Sequence, residues 1–166
     1  MRAFRFFAFL CLLGVLWVVG ALIWSLFSPT ASRMDTFATA RIRKLCGYES
    51  NCKVHVGDLF EGNWDTVYVF GAGVSQKEID AILGPGYVHA GNRERIVVLE
   101  RKNHILRAEH SADLSRHPVD GQIEFEDEDH REQRIVRYSH DAWLRVMGFP
   151  VEPRGTFYVL ATAGNQ

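Results

Sequence analysis

One uncharged apolar stretch near the N terminus constrains this chain more than any other feature of its sequence. Residues 6–27 hold no charged side chain, one hydroxyl and fourteen Leu, Ile, Val or Phe residues. A helix of this length extends roughly 33 Å at about 1.5 Å per residue, which is enough to cross the core of a bilayer. Its apolar side chains favour insertion by roughly 4–8 kcal/mol. We expect a membrane anchor that includes Phe6, Trp17, Trp24 and Phe27, with the Trp24 ring near one interface.

A cleaved signal peptide is the alternative interpretation of the same stretch. The apolar core of such a peptide is about 7–15 residues long and is followed by a small-x-small cleavage site. Here the core is longer, and the best candidate site, Pro29-Thr30-Ala31, has proline where a small residue is needed. Cys11 follows Phe9 and Leu10 rather than the small residues that precede a lipid-modified cysteine. The sequence favours an uncleaved signal-anchor.

Positive charges lie on both sides of the anchor. Arg2 and Arg5 flank it directly on the N-terminal side. More cations follow it within about 20 residues: Arg33, Arg41, Arg43 and Lys44. Their number alone would keep that side in the cytoplasm, but a long folded domain translocates largely regardless of charge. We expect a single-pass protein of the inner (cytoplasmic) membrane, with its N terminus in the cytoplasm and its domain in the periplasm.

This interpretation divides the chain into three parts. Residues 1–31 are a cytoplasmic tip and the anchor, residues 32–45 a juxtamembrane helix, and residues 46–166 a soluble domain. The helix has apolar residues at i, i+3, i+4 spacing, with Ser32 or Asp35 as its N-cap. Its last turn is basic, which complements the helix dipole. Two interpretations of that turn remain open, contact with anionic headgroups or a solvated face.

The domain has more predicted strands than helices. Alternating or β-branched segments predict strands over residues 53–59, 64–70, 95–101, 105–110, 122–126, 134–138 and 156–162. The Lys102-Asn103 corner predicts a hairpin turn. Because short turns join the strands, we expect an α+β fold with an antiparallel sheet and two or three short helices.

Two helical segments are predicted within this domain. A capping box from Ser75 to Glu78 begins the first, which ends at Gly84-Pro85. Its expected buried side chains are Ile79, Ile82 and Leu83. Asp141 is the expected cap of the second, a helical turn over residues 141–148.

Cys46 and Cys52 are the candidate disulfide. A bridge between them closes a small loop and stabilises the fold by roughly 2 kcal/mol in an oxidising compartment. Zinc sites use closer cysteine pairs, and a second pair is missing from the sequence. The spacing favours a disulfide over a metal site.

No established catalytic or cofactor motif is present in the sequence. Gly71-Ala72-Gly73 lies between a strand and a helix, but Gln76 stands where a dinucleotide fingerprint needs its third glycine. We interpret the glycines as a tight turn and expect no cofactor. Of the seven histidines, His110 and His117 share a polar loop with Asp113, which is either a site or a solvated loop. The acidic run over residues 124–129 lacks the spacing of a calcium loop, and we expect it on the outer face and tip of a hairpin.

The charge distribution bears on partners. The formal net charge of the whole chain is −1, so we expect no nucleic-acid partner. Residues 28–53 carry a net charge of +3, and residues 109–132 carry −7. This polarity suits a domain that is oriented above a negatively charged bilayer.

One family resemblance adds to these features. The strand Trp64–Phe70, the helix ending at Leu83-Gly84 and the hairpin ending near Glu109 resemble a group of uncharacterised small bacterial membrane-anchored or lipoprotein-type envelope proteins. The likeness covers about a third of the chain, whose Gly71-Ala72-Gly73 replaces the Pro-Tyr pair frequent in that group. The resemblance implies a bacterial envelope location and does not indicate an activity.

Together these features predict a membrane-anchored envelope protein that acts as a binding or accessory module rather than as an enzyme. Its expected partners are the lipid bilayer and an envelope protein. Two alternatives remain: an envelope hydrolase or metal-binding protein that uses the loop from His110 to His117, and an immunity-type protein at the membrane.

Overall fold

The computed structural model describes residues 14–20, 31–47, 51–86, 88, 94–112, 118–126, 134–152 and 155–163. Residues 14–20 are helical, and three helices follow them: α1 (Arg33–Cys46), α2 (Val56–Leu59) and α3 (Gln76–Leu83). The strands are β1 (Asn51–His55), β2 (Thr66–Phe70), β3 (Glu94–Arg101), β4 (His104–Ala112), β5 (Ile123–Glu126), β6 (Ile135–Ser139), β7 (Trp143–Val151) and β8 (Gly155–Thr162).

The eight strands form two four-stranded sheets. The first has the order β1-β7-β8-β5, and the second has the order β4-β3-β2-β6. Every pair is antiparallel except β5 and β8, which run parallel. The predicted α+β class is therefore confirmed, while the expected antiparallel sheet is in fact two sheets with one parallel pair.

The second sheet is covered on both faces. Val67 and Val69 of β2 belong to a core shared with α1, α2 and the inner face of the first sheet. Tyr68 and Phe70 point to the opposite face and pack with Val74 and Ile79 of the α3 segment. Since side chains alternate along a strand, β2 is buried on both sides and reads as a continuous apolar run.

The local predictions around α1, α3 and the hairpin are confirmed. Ser32 is the N-cap of α1, and its hydroxyl accepts a hydrogen bond from the Asp35 N–H at 3.1 Å. The capping box of Ser75 and Glu78 begins α3. Lys102 and Asn103 turn the β3–β4 hairpin with φ of 49° and 63°. Ile82, however, is 41 % exposed, so α3 buries Ile79 fully and Leu83 only in part.

The predicted helical turn over residues 141–148 is wrong. These residues belong mainly to β7, in which Leu144 and Val146 point into the core. Pairing with β1 on one side and β8 on the other supplies this segment with two sets of backbone hydrogen bonds. Residue spacing within the segment cannot reveal those partners.

Two strand predictions also need correction. The strand over 53–59 ends at His55, and Val56 and Leu59 then bury their side chains from the single helical turn α2. The segments 122–126 and 134–138 form strands but no hairpin, because β5 pairs with β8 and β6 pairs with β2. The acidic side chains Glu124 and Glu126 therefore lie on the first sheet, and residues 127–129 are outside the described ranges.

Among the described residues, no helix has the length and apolar character needed to cross a membrane. Phe6, Trp24 and Phe27 of the expected anchor lie outside the described residues. Trp17 lies in the helical residues 14–20, with its side chain exposed.

A polar stripe on α1 joins the helix to the segment before β5. Asp35, Thr39 and Arg43 are spaced by four residues and so lie on one face of the helix. The Thr39 hydroxyl donates to the Gly121 carbonyl at 2.8 Å, and the Arg43 guanidinium lies 2.8 Å from the Asp120 carboxylate. Asp35 and Thr39 are buried, so this polar stripe lies at positions where an amphipathic helix usually has apolar side chains.

Arg95 of β3 completes this stripe. Its guanidinium lies 2.5 Å from the Asp35 carboxylate, donates to the Ile123 carbonyl and contacts the Ser111 hydroxyl at 3.2 Å. The Asp35 side chain is 4 % exposed and that of Arg95 12 %. Burial raises the pKa of Asp35. The positive charge of Arg95, the hydrogen bond from its side chain and the hydrogen bond from the Ile123 N–H act in the opposite direction, because they stabilise the ionised carboxylate. One ion pair thus connects α1, β3, β4 and β5.

Replacement of Arg95 by methionine should lower the free energy of unfolding by about 3–5 kcal/mol, because it leaves the Asp35 carboxylate buried without its partner. The double variant Asp35→Leu/Arg95→Met should recover much of that loss, since it removes both charges together. Urea denaturation of the full-length protein in detergent, followed by tryptophan fluorescence, to which the buried Trp64 contributes, measures both changes. Lys77→Met, at an exposed position on α3, is the matched control. Equal stability of Arg95→Met and the wild type would contradict the assignment.

Candidate functional site

A cavity of about 430 Å³ opens along the solvent side of α1, and we call it the α1 groove. The helix contributes one wall: Arg33, Thr36, Phe37 and Ala40. Met34, Phe60 and Leu99 add apolar surface, and Glu61 and Arg107 line it as well. The residues come from α1, the segment after α2, β3 and β4, so the groove exists only in the folded domain.

The helix wall follows from the pattern of α1. Met34, Ala38 and Ile42 are buried in the main core and fix one face of the helix. Positions 33, 36, 37 and 40 share the neighbouring face, since residues three and four apart are adjacent on a helix. Phe37 therefore lies at the border between core and solvent, half-buried against the groove.

The groove is cationic at the start of α1. Arg33 is exposed in the first turn, and Arg107 lies across from it on β4 with 43 % of its side chain exposed. Within the described part of the chain, Arg33 has no carboxylate partner, and Arg107 lies 2.9 Å from the Glu109 carboxylate. Farther along the helix, the Arg41 guanidinium sits 5.1 Å from the centre of the Phe37 ring and 4.0 Å from Glu61. Two guanidinium groups thus belong to the lining of a partly apolar cavity.

Glu109 fixes the start of α1 beside β4. Its carboxylate accepts a hydrogen bond from the Met34 N–H at 2.8 Å, which satisfies a backbone donor in the first helical turn. Burial raises the pKa of Glu109, but hydrogen bonds from the Met34 N–H and the Ser32 hydroxyl, together with the charge of Arg107, hold that pKa below its ordinary value of 4.5. Glu109 therefore holds the start of α1, which forms one wall of the groove, beside β4.

Glu109→Gln should lower the free energy of unfolding by about 1–3 kcal/mol near neutral pH, because it removes a charged acceptor. The pKa of Glu109 is lower in the folded state than in the unfolded state. The stabilisation that its carboxylate gives the fold is therefore present at pH values above the unfolded-state pKa, and it is lost as the pH falls through the folded-state pKa. The variant and the wild type should therefore converge in stability at acid pH. Denaturation curves between pH 7 and about pH 3 measure this. Glu152→Gln, at an exposed turn, is the control, and a constant difference at every pH would contradict the role of the charge.

A second cluster of aromatic and histidine side chains lies at the end of β1. The His140 ring packs 4.7 Å from the Trp64 ring, and the His55 ring lies 5.8 Å from His140 and 5.2 Å from Trp143. Gly57 allows this packing, because a Cβ there would lie 2.4 Å from the His140 ring. The cluster surrounds Trp64, which is 2 % exposed, and so contributes to the core.

Of the polar-loop residues that the sequence singled out, His110 lies within the described ranges. His110 lies on β4 with its Nδ1 atom 3.0 Å from the Glu94 carboxylate. Asp113 and His117 lie outside the described residues. Across the described ranges, no three His, Cys, Asp or Glu side chains are grouped to hold a metal ion. Cys46 and Cys52 are joined by a disulfide, with Cα atoms 5.7 Å apart.

The chain matches no protein-family model, no curated protein and no solved structure. Its function must be inferred from the geometry of the α1 groove. Sequence reasoning missed the groove because Phe60, Leu99 and Arg107 carry no motif. The available signal was Phe37, an aromatic residue on the helix predicted directly after the apolar stretch.

Proposed function

We propose that this protein is a single-pass, membrane-anchored binding module whose α1 groove holds an anionic phospholipid at the bilayer surface. The observation that carries the proposal is the groove itself, a partly apolar cavity whose lining includes Arg33 and Arg107. The module needs no chemistry of its own, and it acts by holding its ligand or presenting it to an envelope partner.

The apolar stretch over residues 6–27 supports the anchor, because burial of its side chains in lipid is favourable. The disulfide between Cys46 and Cys52 supports an oxidising compartment such as the periplasm, with the N terminus in the cytoplasm. The resemblance to small bacterial envelope proteins agrees with this location.

Chain length supports a groove close to the membrane. Five residues separate Phe27, the last residue of the apolar stretch, from Arg33 at the start of α1. Even a fully extended chain covers only about 20–22 Å over that distance. An anchor that ends at Phe27 therefore keeps the cationic end of the groove within reach of lipid headgroups.

The chemistry of the groove supports a phospholipid. Guanidinium groups bind phosphate oxygens through short, charge-assisted hydrogen bonds, and Arg33 and Arg107 offer two such groups. Phe37, Phe60 and Leu99 offer apolar surface to the first part of an acyl chain. A cavity of about 430 Å³ lies within the range of small-molecule sites.

The hydrolase or metal-binding alternative has less support, because His110 does not line the α1 groove and no three metal-ligating side chains are grouped across the described ranges. The immunity-type alternative would require recovery of a basic toxin with the purified protein.

The proposed topology is tested by adding protease to spheroplasts. The domain should be degraded while the membrane is intact, because it lies outside the cytoplasm, and the full-length chain should remain in the membrane fraction after carbonate washing. A cytoplasmic protein of the same cells is the control for membrane integrity. A domain protected until the membrane is lysed would contradict the orientation.

The proposed ligand is tested with dihexanoyl phosphatidylglycerol and dihexanoyl phosphatidylcholine, added to the full-length protein in neutral detergent and followed by calorimetry. We expect the anionic lipid to bind more tightly. Arg33→Ala/Arg107→Ala should weaken its binding about tenfold or more, because each charged hydrogen bond contributes roughly 1.5–3 kcal/mol. Ala40→Trp should weaken the binding of both lipids, because the larger side chain fills the groove.

Lys77→Ala/Lys102→Ala removes two exposed cations elsewhere and is the matched control. Unchanged binding in both groove variants would reject the site. Equal binding of the two lipids would reject the role of the headgroup charge.

A further inference from the structure

The second sheet ends in an unusually long outer strand. β4 has nine residues and stands last in the order β4-β3-β2-β6, so within the described chain its outer edge pairs with no other strand. The other outer strands, β1, β5 and β6, have five, four and five residues. An outer strand carries a row of backbone donors and acceptors that can pair with another strand.

β4 has few of the features that usually protect such an edge. It contains no proline and no lysine. Its register with β3 shifts once, because Leu99 pairs with Arg107 and Glu100 with Ile105, which makes Leu106 the extra residue of a bulge. Leu106 is 51 % exposed, and Ala108 is exposed as well. From Arg107 onward the strand is regular, and this part of the edge is suited to strand pairing.

The sequence of β4 is complementary to itself. When a second copy is placed antiparallel with Ala108 opposite Ala108, Arg107 of each copy lies opposite Glu109 of the other. Opposite charges on directly facing positions stabilise a strand pair, and the small alanine at the centre leaves room for close approach. The same register places Leu106 opposite His110.

We propose that the protein forms a homodimer through antiparallel pairing of two β4 strands, which joins the two second sheets into one continuous sheet of eight strands. The twofold axis passes through Ala108 perpendicular to the sheet. The contact is isologous and closed, so it ends at two copies.

The position of α1 agrees with this arrangement. The Met34 N–H is bonded to Glu109, so α1 begins next to the axis. An axis perpendicular to the sheet keeps both α1 helices on the same face, and two anchored chains can then enter one bilayer. Shared anchoring also raises the effective concentration for pairing. Arg107 belongs to both the α1 groove and the β4 edge, but Ala108 at the proposed axis does not line the groove, so substitutions there test the dimer separately from the lipid ligand.

The test uses the full-length protein in detergent, with mass measured by analytical ultracentrifugation. The wild type should be a dimer, and Ala108→Arg and Ala108→Glu should each be monomers, because each places like charges across the axis. An equimolar mixture of the two variants should restore the dimer. Ala81→Arg, at an exposed alanine on α3, should remain dimeric. A monomeric wild type, or a dimer that survives Ala108→Arg, would overturn the proposal.

Cysteine cross-linking tests the register without relying on charged substitutions. In a Cys11→Ser background, Ala108→Cys should cross-link to itself under mild oxidation, because facing residues bring their Cβ atoms to about 4.5–5.5 Å. Leu106→Cys alone should not cross-link, but a mixture with His110→Cys should. Self-cross-linking of Leu106→Cys in preference to Ala108→Cys would reject this register. Ala108 pairs with Val98 on the face opposite the α1 groove, so these variants should still bind the lipid if the groove proposal holds.

Discussion

The ion pair between Asp35 and Arg95 is the contact on which the rest of the arrangement depends. The Arg95 guanidinium neutralises the carboxylate buried at the start of α1. Arg95 lies on β3 of the second sheet and also donates to the Ile123 carbonyl on β5 of the first sheet, so it joins the helix to both sheets. Because Asp35, Thr39 and Arg43 share one face of α1, the helix can rotate about its axis only by breaking several contacts at once. A fixed rotation leaves Phe37 and Arg33 facing solvent, and it thereby creates the α1 groove.

Much of the local structure could be predicted from the sequence, since its signals act over a few residues. The capping box at Ser75 and the left-handed Lys102-Asn103 turn are set by neighbouring atoms and are found where expected. The segment 141–148 could not be predicted this way. Leu144 and Met147 have the spacing of one face of a helix, while Leu144 and Val146 have the spacing of one face of a strand. The segment forms a strand because it pairs with β1 and β8. The parallel pairing of β5 with β8 has the same non-local origin.

The candidate site could be predicted less well than the fold. Sequence reasoning selected His110 by residue type, whereas the groove is made by ordinary residues whose importance comes from position. Phe60, Leu99 and Arg107 meet only because α2, β3 and β4 pack around one helix. Asp35 illustrates the same limit. The sequence offered it as a helix cap, but Ser32 fills that position, and Asp35 turns inward to Arg95, a residue sixty positions away.

α1 is held at both ends, and this fixes its position in the domain. At its start, Glu109 and Arg95 bind the Met34 N–H and the Asp35 carboxylate. At its end, the disulfide from Cys46 to Cys52 ties the helix to β1 through a loop of a few residues, a constraint of roughly 2 kcal/mol. A helix fixed in this way cannot swing as a flexible linker would. The α1 groove and the β4 edge therefore keep one orientation relative to the start of α1.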